Sequence, residues 1–300
     1  MTADCMEPFQ QTTDETIKLC VLTGATSGIG KAAALQLCKF NTQLILLSRN
    51  ISKGSALVNK INSFYGPDKA RFIQTDISNF AQVRSAANHI KDQHSGIAIL
   101  INNAGARFNN FQKNADGIEL TFATNHLGHF LLTRMLLNLL EASPEGRIIN
   151  ISSSVHCGYS AEFDKGFSKD DYDRKAAYGL SKLANLLFTY ELARRLADTK
   201  ITVNALHPGM VASSFAKNNG LISWLKHVAY YAMKRQLISP ARAAEAITYL
   251  ALSEEVQGVT GKYFSGKKEI HSSDASYDQS AGSKLWEISL RLCGIDETAH

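Results

Sequence analysis

Short apolar runs alternate with longer segments of helical periodicity over most of the chain. One of these runs, LILL at 44–47, is apolar at every position, which is typical of a strand covered on both faces. Strands that alternate with helices predict βαβ units and a parallel sheet. We therefore predict an α/β fold, with a doubly wound parallel sheet and helices on both of its faces. The predicted strands lie at 19–23, 43–48, 72–75, 97–102, 147–151 and 201–206.

The domain organisation predicted from the sequence is simple. The chain shows no internal repeat, no linker-like segment and no change of composition that would separate two domains. We predict a polar N-terminal extension at 1–16 and a single domain at 17–300. The apolar stretch 130–140 contains Arg134 and Asn138 and is shorter than the roughly 20 residues that span a bilayer. It therefore predicts a buried helix.

Composition and charge narrow the class of protein. The 300 residues are 45% hydrophobic, and 32 Lys and Arg against 27 Asp and Glu give a net charge of +5. These charges are scattered, so no nucleic-acid partner is expected. The five cysteines lack zinc-site spacing and are odd in number, which favours a reducing compartment and no bound metal. With acidic residues instead of a signal peptide at the N-terminus, we expect a soluble cytoplasmic protein; peripheral attachment to a membrane is the alternative.

A glycine-rich segment follows the first predicted strand. It reads TGATSGIG at 23–30, and a helical pattern continues at 31–40. In this context glycines let the backbone approach a pyrophosphate, and the start of the helix supplies N–H groups to bind it. An ordinary strand-to-helix turn is the alternative. The segment predicts a Rossmann-type nucleotide site, whose candidate cofactor-binding residues are Gly24, Thr26, Ser27, Gly28, Ile29 and Gly30.

The end of the second predicted strand indicates which nucleotide binds. An acidic residue there would hold the ribose hydroxyls of NAD, but this strand ends in Ser48 and Arg49. A guanidinium pairs with a 2′-phosphate, so Arg49 favours NADP(H); an ordinary exposed arginine is the alternative. Asp76, at the end of the third strand, is placed either to contact the adenine amino group or to cap the next helix.

Three motifs together resemble the short-chain dehydrogenase/reductase family: the glycine-rich segment, NNAG at 102–105 and YGLSK at 178–182. The resemblance covers nearly the whole chain and implies a nicotinamide cofactor, with Asn102 and Ala104 among the residues that bind it. In the family the tyrosine corresponding to Tyr178 is the general acid/base. The lysine corresponding to Lys182 also binds the nicotinamide ribose.

The spacing of Tyr178 and Lys182 has a physical consequence of its own. They lie four residues apart in a helical stretch predicted at 176–196, so both side chains share one face. A neighbouring ammonium stabilises a phenolate, so we expect Lys182 to lower the pKa of Tyr178 from its ordinary value of about 10.

Two further positions match the catalytic pattern of the family. In NISSS at 150–154 the family's catalytic serine corresponds to Ser153, and Ser154 is the alternative because three serines follow one another. Asn125, within TNHLGH at 124–129, matches the asparagine that holds a water in a proton relay to the lysine. The nearby His126 and His129 predict packing and no metal site, because no further ligand cluster accompanies them.

The sixth predicted strand ends in HPGMV at 207–211, which matches the family's turn beside the nicotinamide carboxamide and is also a generic turn. Its predicted cofactor-binding residues are Pro208, Gly209 and Val211. Ser213 joins them, although serine stands where the family usually has threonine.

A narrower resemblance is to the retinol dehydrogenase-like branch of the family. It rests on a charged insert at 162–175 and on the C-terminal region at 261–287. Residues 211–240 carry apolar and aromatic positions interleaved with basic ones, which predict a lid over a lipophilic substrate. A helix packed on the core, or contact with a membrane surface, is the alternative for this segment.

The resemblance implies an NADP(H)-dependent oxidoreductase that acts on a lipophilic aldehyde or ketone, such as retinal, or on the corresponding alcohol. A steroid dehydrogenase or tetrapyrrole reductase of the same family is the alternative, and a catalytically silent nucleotide-sensing protein is another. Family members commonly pair through the helices that correspond to 120–141 and 178–195, so a homo-oligomer is also expected.

Overall fold

An eight-stranded sheet forms the centre of the protein in the computed structural model, which describes residues 16–163, 169, 170, 172–211 and 237–296. Its strand order is β10-β9-β6-β5-β4-β1-β2-β3, and only β10 runs antiparallel to its neighbour. Two short strands, β7 and β8, pair separately. The strands are β1 (Lys18–Thr23), β2 (Thr42–Ser48), β3 (Ala70–Gln74), β4 (Ile99–Asn102), β5 (Arg147–Ile151), β6 (Thr202–His207), β7 (Met210–Val211), β8 (Leu237–Ile238), β9 (Lys262–Ser265) and β10 (Lys268–Glu269).

This strand order confirms the predicted Rossmann-type sheet. The order β3-β2-β1-β4-β5-β6 is the one in which the connections reverse direction between β1 and β4. All six predicted strands are present, and β5 matches its predicted bounds at both ends. The sequence pattern missed β9, because only Tyr263 and Phe264 are apolar in that short strand. It pairs parallel with β6 and extends the sheet at that edge.

Helices cover both faces of the sheet, as predicted. On one face α3, α5, α6 and α8 enclose a core that includes Phe130, and on the other α1, α2 and α7 enclose a second core that includes Leu37. A π-helical turn, Ala123–Leu127, joins α4 to α5. The helices are α1 (Gly28–Leu37), α2 (Ile51–Tyr65), α3 (Phe80–Gln93), α4 (Leu120–Phe122), α5 (Gly128–Glu141), α6 (Arg174–Arg195), α7 (Pro240–Leu252) and α8 (Gln279–Cys293).

The C-terminal helix α8 packs against α6. Its Trp286 is buried, with ring centroids 5.0 Å from Phe130 of α5 and 6.1 Å from Phe188 of α6. The Arg195 guanidinium carbon lies 4.3 Å from the centroid of the same indole. Pairing of two copies of the chain is expected through helices α5 and α6. In this structure α8 of the same chain packs on both helices and therefore covers part of that surface. Formation of a homo-oligomer stays a prediction.

The apolar stretch 130–140 lies within α5 and is largely buried, as predicted for a core helix. In the described part of the chain, none of the helices has the length and apolar character that crossing a membrane requires. Nearly all of the N-terminal extension and most of the predicted lid, residues 212–236, lie outside the described residues.

Candidate active site

A cavity of about 780 Å³ opens at the carboxyl ends of β1, β2, β4 and β5. This edge contains the point between β1 and β4 where the connections reverse direction, which is where doubly wound sheets bind ligands. Most of the predicted site residues line it. They are Gly24, Thr26, Ser27, Gly28, Ile29, Gly30, Arg49, Asp76, Ala104, Ser153, Tyr178, Lys182, Pro208, Gly209 and Val211.

The glycine-rich segment forms a cradle that packs against itself and the loop after β4 too closely to admit side chains at Gly24 and Gly30. Gly24 has φ +68°, and a Cβ on it would lie 2.8 Å from the Ala104 Cα. A Cβ on Gly30 would collide with the Gly24 carbonyl oxygen. Helix α1 begins in this cradle. Its N-cap residue is Ser27, whose side chain makes no capping hydrogen bond within the described residues. The cradle and the helix start therefore fit a pyrophosphate.

Positive charge concentrates at one end of the cavity. Arg49 follows β2, and its Nη1 lies 3.9 Å from Asp76 Oδ2. The other Asp76 oxygen accepts hydrogen bonds from the Ser78 backbone N–H, at 3.0 Å, and from its hydroxyl, at 2.7 Å. Lys53, in the first turn of α2, also lines the cavity. Lys53 is not among the residues predicted from the sequence. A second cation four residues after Arg49 was the feature of the sequence that could have indicated it.

The three groups Ser153, Tyr178 and Lys182 meet at the other end of the cavity. The Lys182 side chain is buried, and its Nζ donates to the Ile151 carbonyl oxygen at 2.9 Å. That Nζ also lies 5.7 Å from the centroid of the Tyr178 ring. Ser153 lies close enough to the Tyr178 hydroxyl to lower its pKa. The spacing of four residues on α6 thus brings the tyrosine and the lysine to one face, as predicted.

The expected pKa of Tyr178 is wrong for this structure. Burial raises its pKa to about 12, because it outweighs the lowering effects of the Ser153 hydrogen bond and of the Arg107 charge. The Lys182 ammonium lies over the tyrosine ring and is bound to a carbonyl. Burial also lowers the pKa of Lys182 to about 8. Desolvation therefore decides both values, and the cation that lowers the pKa of the phenol is Arg107.

The three consecutive serines have different surroundings. The Ser152 hydroxyl donates to the Lys182 carbonyl oxygen at 2.8 Å, within the core. Ser154 is exposed and begins a 3₁₀ turn, Ser154–Gly158. Ser153 lines the cavity beside Tyr178. This geometry favours Ser153 over Ser154 as the catalytic serine, and the assignment stays a prediction.

Asn125 lies in the π-helical turn and is fully buried. Its Oδ1 accepts from the Ala106 N–H at 2.8 Å, while its Nδ2 donates to the Ala106 carbonyl at 3.0 Å and to Ser181 Oγ at 2.9 Å. The Asn125 side chain therefore ties the loop after β4 to α6, next to the cavity wall. Its predicted part in a proton relay stays a prediction.

Asn102 differs from its predicted role. Its Nδ2 donates to Thr133 Oγ1 at 2.9 Å and to Asn150 Oδ1 at 2.8 Å, so the side chain lies in the core and does not line the cavity. Both neighbouring groups are polar and buried, which explains why this asparagine turns inward. The next residue, Asn103, lines the cavity instead. Predicted cofactor-binding Ser213 lies outside the described residues.

The two histidines near Asn125 serve packing. His126 Nε2 lies 2.9 Å from Ser289 Oγ, and His129 Nε2 lies 3.0 Å from Thr23 Oγ1. Burial lowers the pKa of His126 to about 3 and that of His129 to about 4. Within the described ranges, no three His, Cys, Asp or Glu residues are grouped as metal ligands would be.

Several residues that line the cavity are not among the site residues predicted from the sequence. Arg107 stands close enough to Tyr178 to affect its pKa, and it follows the NNAG motif by two residues. A cation two residues after that motif was the feature of the sequence that could have predicted it. The other unpredicted residues are Thr23, Leu47, Ser48, Asn50, Lys53, Thr75, Ile77, Asn103, Gly105, Ala106, Thr124, Ile151, Ser152, Val155 and Met210.

Comparison with known proteins agrees with this geometry. Residues 18–221 match the family model described as short chain dehydrogenase. The chain is 37% identical over 286 residues to human retinol dehydrogenase 13, covering 93% of this chain and 85% of that protein. It is also 37% identical over 283 residues to the chloroplastic short-chain dehydrogenase TIC 32 B of Brassica napus, covering 91% and 87%.

A solved structure of an uncharacterized protein from Mycobacterium paratuberculosis is also similar. Its TM-score is 0.71 at 28% identity, over 93% of this chain and 94% of that one. The family match, the relatives and the sheet order all agree. The chain belongs to the short-chain dehydrogenase family of oxidoreductases, and its relatives include retinol dehydrogenases.

Proposed function

We propose that the protein is an NADP(H)-dependent oxidoreductase that interconverts the carbonyl and alcohol forms of a lipophilic substrate. The proposal rests on one continuous cavity whose two ends are lined by different kinds of side chain. Arg49 and Lys53 line one end, and Ser153, Tyr178 and Lys182 line the other. A dinucleotide joins a charged adenosine half to a reactive nicotinamide, so this arrangement supports binding of such a molecule along the cavity.

The residues of the cavity fit the cofactor. Gly24 and Gly30 let the backbone of the segment fold tightly without side chains, and the start of α1 would supply N–H groups to a pyrophosphate. Arg49 and Lys53 would hold the 2′-phosphate that distinguishes NADP(H) from NAD(H). When bound, the nicotinamide supplies or accepts the hydride, and the protein supplies position and proton transfer.

Proton transfer would be carried out by the residues at the end of the cavity opposite Arg49. Tyr178 would donate a proton to the carbonyl oxygen in reduction and take it back in oxidation. Ser153 would donate a hydrogen bond to the same oxygen, since its hydroxyl already lies beside that of Tyr178. Lys182 would hold the nicotinamide ribose, and Asn125 would support the relay that resupplies the proton. The charge of Arg107 favours a phenolate on Tyr178.

A lipophilic substrate is supported by the apolar part of the cavity wall. Val155, Met210 and Val211 line it, and Val155 is exposed. Relatives named retinol dehydrogenases support the same class of substrate. A cytoplasmic or membrane-peripheral location and a homo-oligomeric state are part of the proposal. The lid over residues 211–240 remains part of it as well.

Turnover with a panel of carbonyl compounds tests the proposal. NADPH or NADH absorbance is followed with retinal, a ketosteroid, a long aliphatic aldehyde and an aromatic aldehyde. We expect oxidation of NADPH with at least one lipophilic aldehyde or ketone, and slower turnover with NADH. Tight NADPH binding without turnover across the panel would contradict the proposal and support the nucleotide-sensing alternative. Turnover of the ketosteroid alone would indicate a steroid dehydrogenase.

A further inference from the structure

His156 connects the C-terminal part of the chain to the catalytic end of the cavity. Its side chain is almost completely buried, in the 3₁₀ turn that follows Ser153. Its Nδ1 lies 2.6 Å from the Ser153 carbonyl oxygen, and its Nε2 accepts from the Ser273 backbone N–H at 3.0 Å. One ring therefore touches the candidate catalytic serine on one side and a segment 117 residues away on the other.

These two partners fix the tautomer of the ring. A backbone N–H can only donate, so Nε2 must carry a lone pair to accept the bond from Ser273. A neutral imidazole then has its single proton on Nδ1, which donates to the Ser153 carbonyl. The Cys157 thiol, 3.4 Å from Nε2, is a donor as well and agrees with this assignment. Burial lowers the pKa of His156, which keeps the ring neutral near pH 7.

The Ser153 carbonyl is held twice by the same residue. It accepts the Nδ1 proton and also the His156 backbone N–H at 3.2 Å. The Ser153 hydroxyl makes no capping bond to the 3₁₀ turn, and Ser153 lines the cavity close enough to Tyr178 to lower its pKa. Holding the peptide plane after Ser153 fixes its backbone, and with it the direction of the Cα–Cβ bond that carries the hydroxyl.

The other partner, Ser273, is itself anchored to the helix that carries Tyr178. The Ser273 carbonyl accepts from Ser276 Oγ at 2.6 Å, and Ser276 Oγ lies 2.6 Å from Ser272 Oγ. Ser272 Oγ in turn lies 2.7 Å from the Tyr190 hydroxyl on α6. These contacts form a circuit that runs from α6 through the C-terminal segment and His156 to Ser153, which lines the same cavity as Tyr178 of α6.

We propose that His156 is a positioning residue whose Nδ1–H group, held by the C-terminal segment, keeps the Ser153 hydroxyl aligned with Tyr178. The inference rests on the proposed function, because that function gives Ser153 its role. It adds that residues 272–276, far from the cavity along the chain, contribute to turnover through the imidazole.

Two conservative replacements separate the two sides of the ring. In His156→Asn the amide nitrogen stands near the position of Nδ1, so it can still donate to Ser153. In His156→Gln the amide reaches the position of Nε2, so it keeps the contact with Ser273 and loses the one with Ser153. With NADPH and the carbonyl compound that is turned over fastest, we expect kcat of the Gln variant to fall about tenfold to hundredfold. The Asn variant keeps the bond to Ser153 and loses only the contact with Ser273, so its kcat should fall less, by about threefold to tenfold, with KM and NADPH affinity little changed in both.

Equal losses in the two variants, or no loss in the Gln variant, would overturn the proposal. A second pair addresses the other contact: Ser273→Pro removes the N–H at a residue whose φ of −67° suits proline, and Ser273→Ala keeps it. We expect a lower kcat only for the proline variant, and equal kcat values would count against the circuit. Tyr178→Phe in the same assay separates failure of this inference from failure of the proposed function.

Nuclear magnetic resonance of the wild-type protein with ¹⁵N-labelled histidine tests the geometry without any turnover. We expect the His156 signals of a neutral ring protonated at Nδ1 at pH 7. A ring protonated at Nε2 would overturn the proposal even if the enzyme is active, because Nε2 could not then accept from Ser273.

Discussion

Replacing Arg49 by alanine should weaken NADPH binding far more than NADH binding. The two cofactors differ in the 2′-phosphate, and Arg49 and Lys53 are the cations at that end of the cavity. A hydrogen bond to a charged group contributes about 1.5 to 3 kcal/mol. The Arg49 side chain is 60% exposed, so water screens it and the lower value applies. About 1.5 kcal/mol corresponds to roughly a tenfold higher Kd for NADPH.

Asp76 adds to the expected effect. Its carboxylate lies 3.9 Å from the Arg49 guanidinium, and without that cation it would face the 2′-phosphate as a like charge. NADH carries no such phosphate, so its Kd should change by less than about twofold. Fluorescence titration of each cofactor into the wild type and Arg49→Ala measures both values. Lys60→Ala is the matched control, because Lys60 lies on α2, the helix that begins just after Arg49, is exposed and stays outside the cavity.

Equal weakening of NADPH and NADH binding in Arg49→Ala would refute this reasoning. Such a result would mean that the side chain acts on the shape of the cavity and not on the 2′-phosphate. A comparable loss in Lys60→Ala would point to the general charge of α2 as the cause.

Three further predictions concern the serines, the C-terminal helix and the buried histidines. Ser153→Ala should lower kcat about 100-fold or more while Ser154→Ala leaves it nearly unchanged; the reverse order in a turnover assay would reassign the catalytic serine. Trp286→Ala should lower the free energy of unfolding by about 3 to 5 kcal/mol in urea titrations, and a change below about 1 would contradict its packing role. His126 and His129 have folded-state pKa values of about 3 and about 4, below the unfolded value, so unfolding takes up protons below pH 6.5 and stability falls as the pH drops. Urea titrations should give a free energy of unfolding about 2 to 3 kcal/mol lower at pH 5.5 than at pH 7.5, and equal values would contradict the burial of these rings.

The parts of the fold that the sequence predicts are those with a strong local signal. The run at 44–47 is apolar at every position, and it forms the buried strand β2. Strand β9 has no such signal, because its place in the sheet depends on pairing with β6. The packing of Trp286 between α5 and α6 is likewise a tertiary property, and nothing around that residue in the sequence indicates it.

The candidate site likewise contains features that the sequence predicts and features that depend on tertiary contacts. The motif after β5 predicted Ser153, because parallel strands bring their carboxyl ends to one edge. The four-residue helical spacing of the other motif predicted that Tyr178 and Lys182 share one face of α6. The inward turn of Asn102 depends on polar partners from other elements, so the motif alone misplaces it. The pKa of Tyr178 depends on burial, and spacing along a helix predicts proximity to Lys182 but not desolvation.

The central claim is that Tyr178 transfers the proton in an oxidoreductase that uses NADP(H). The direct test is Tyr178→Phe, which removes one hydroxyl and leaves the ring. NADPH binding is measured by titration, and turnover is measured with the carbonyl compound that the wild type reduces fastest. We predict that kcat falls at least about 100-fold while the Kd of NADPH changes by less than about twofold. A variant that binds NADPH normally and keeps the wild-type kcat would contradict the account.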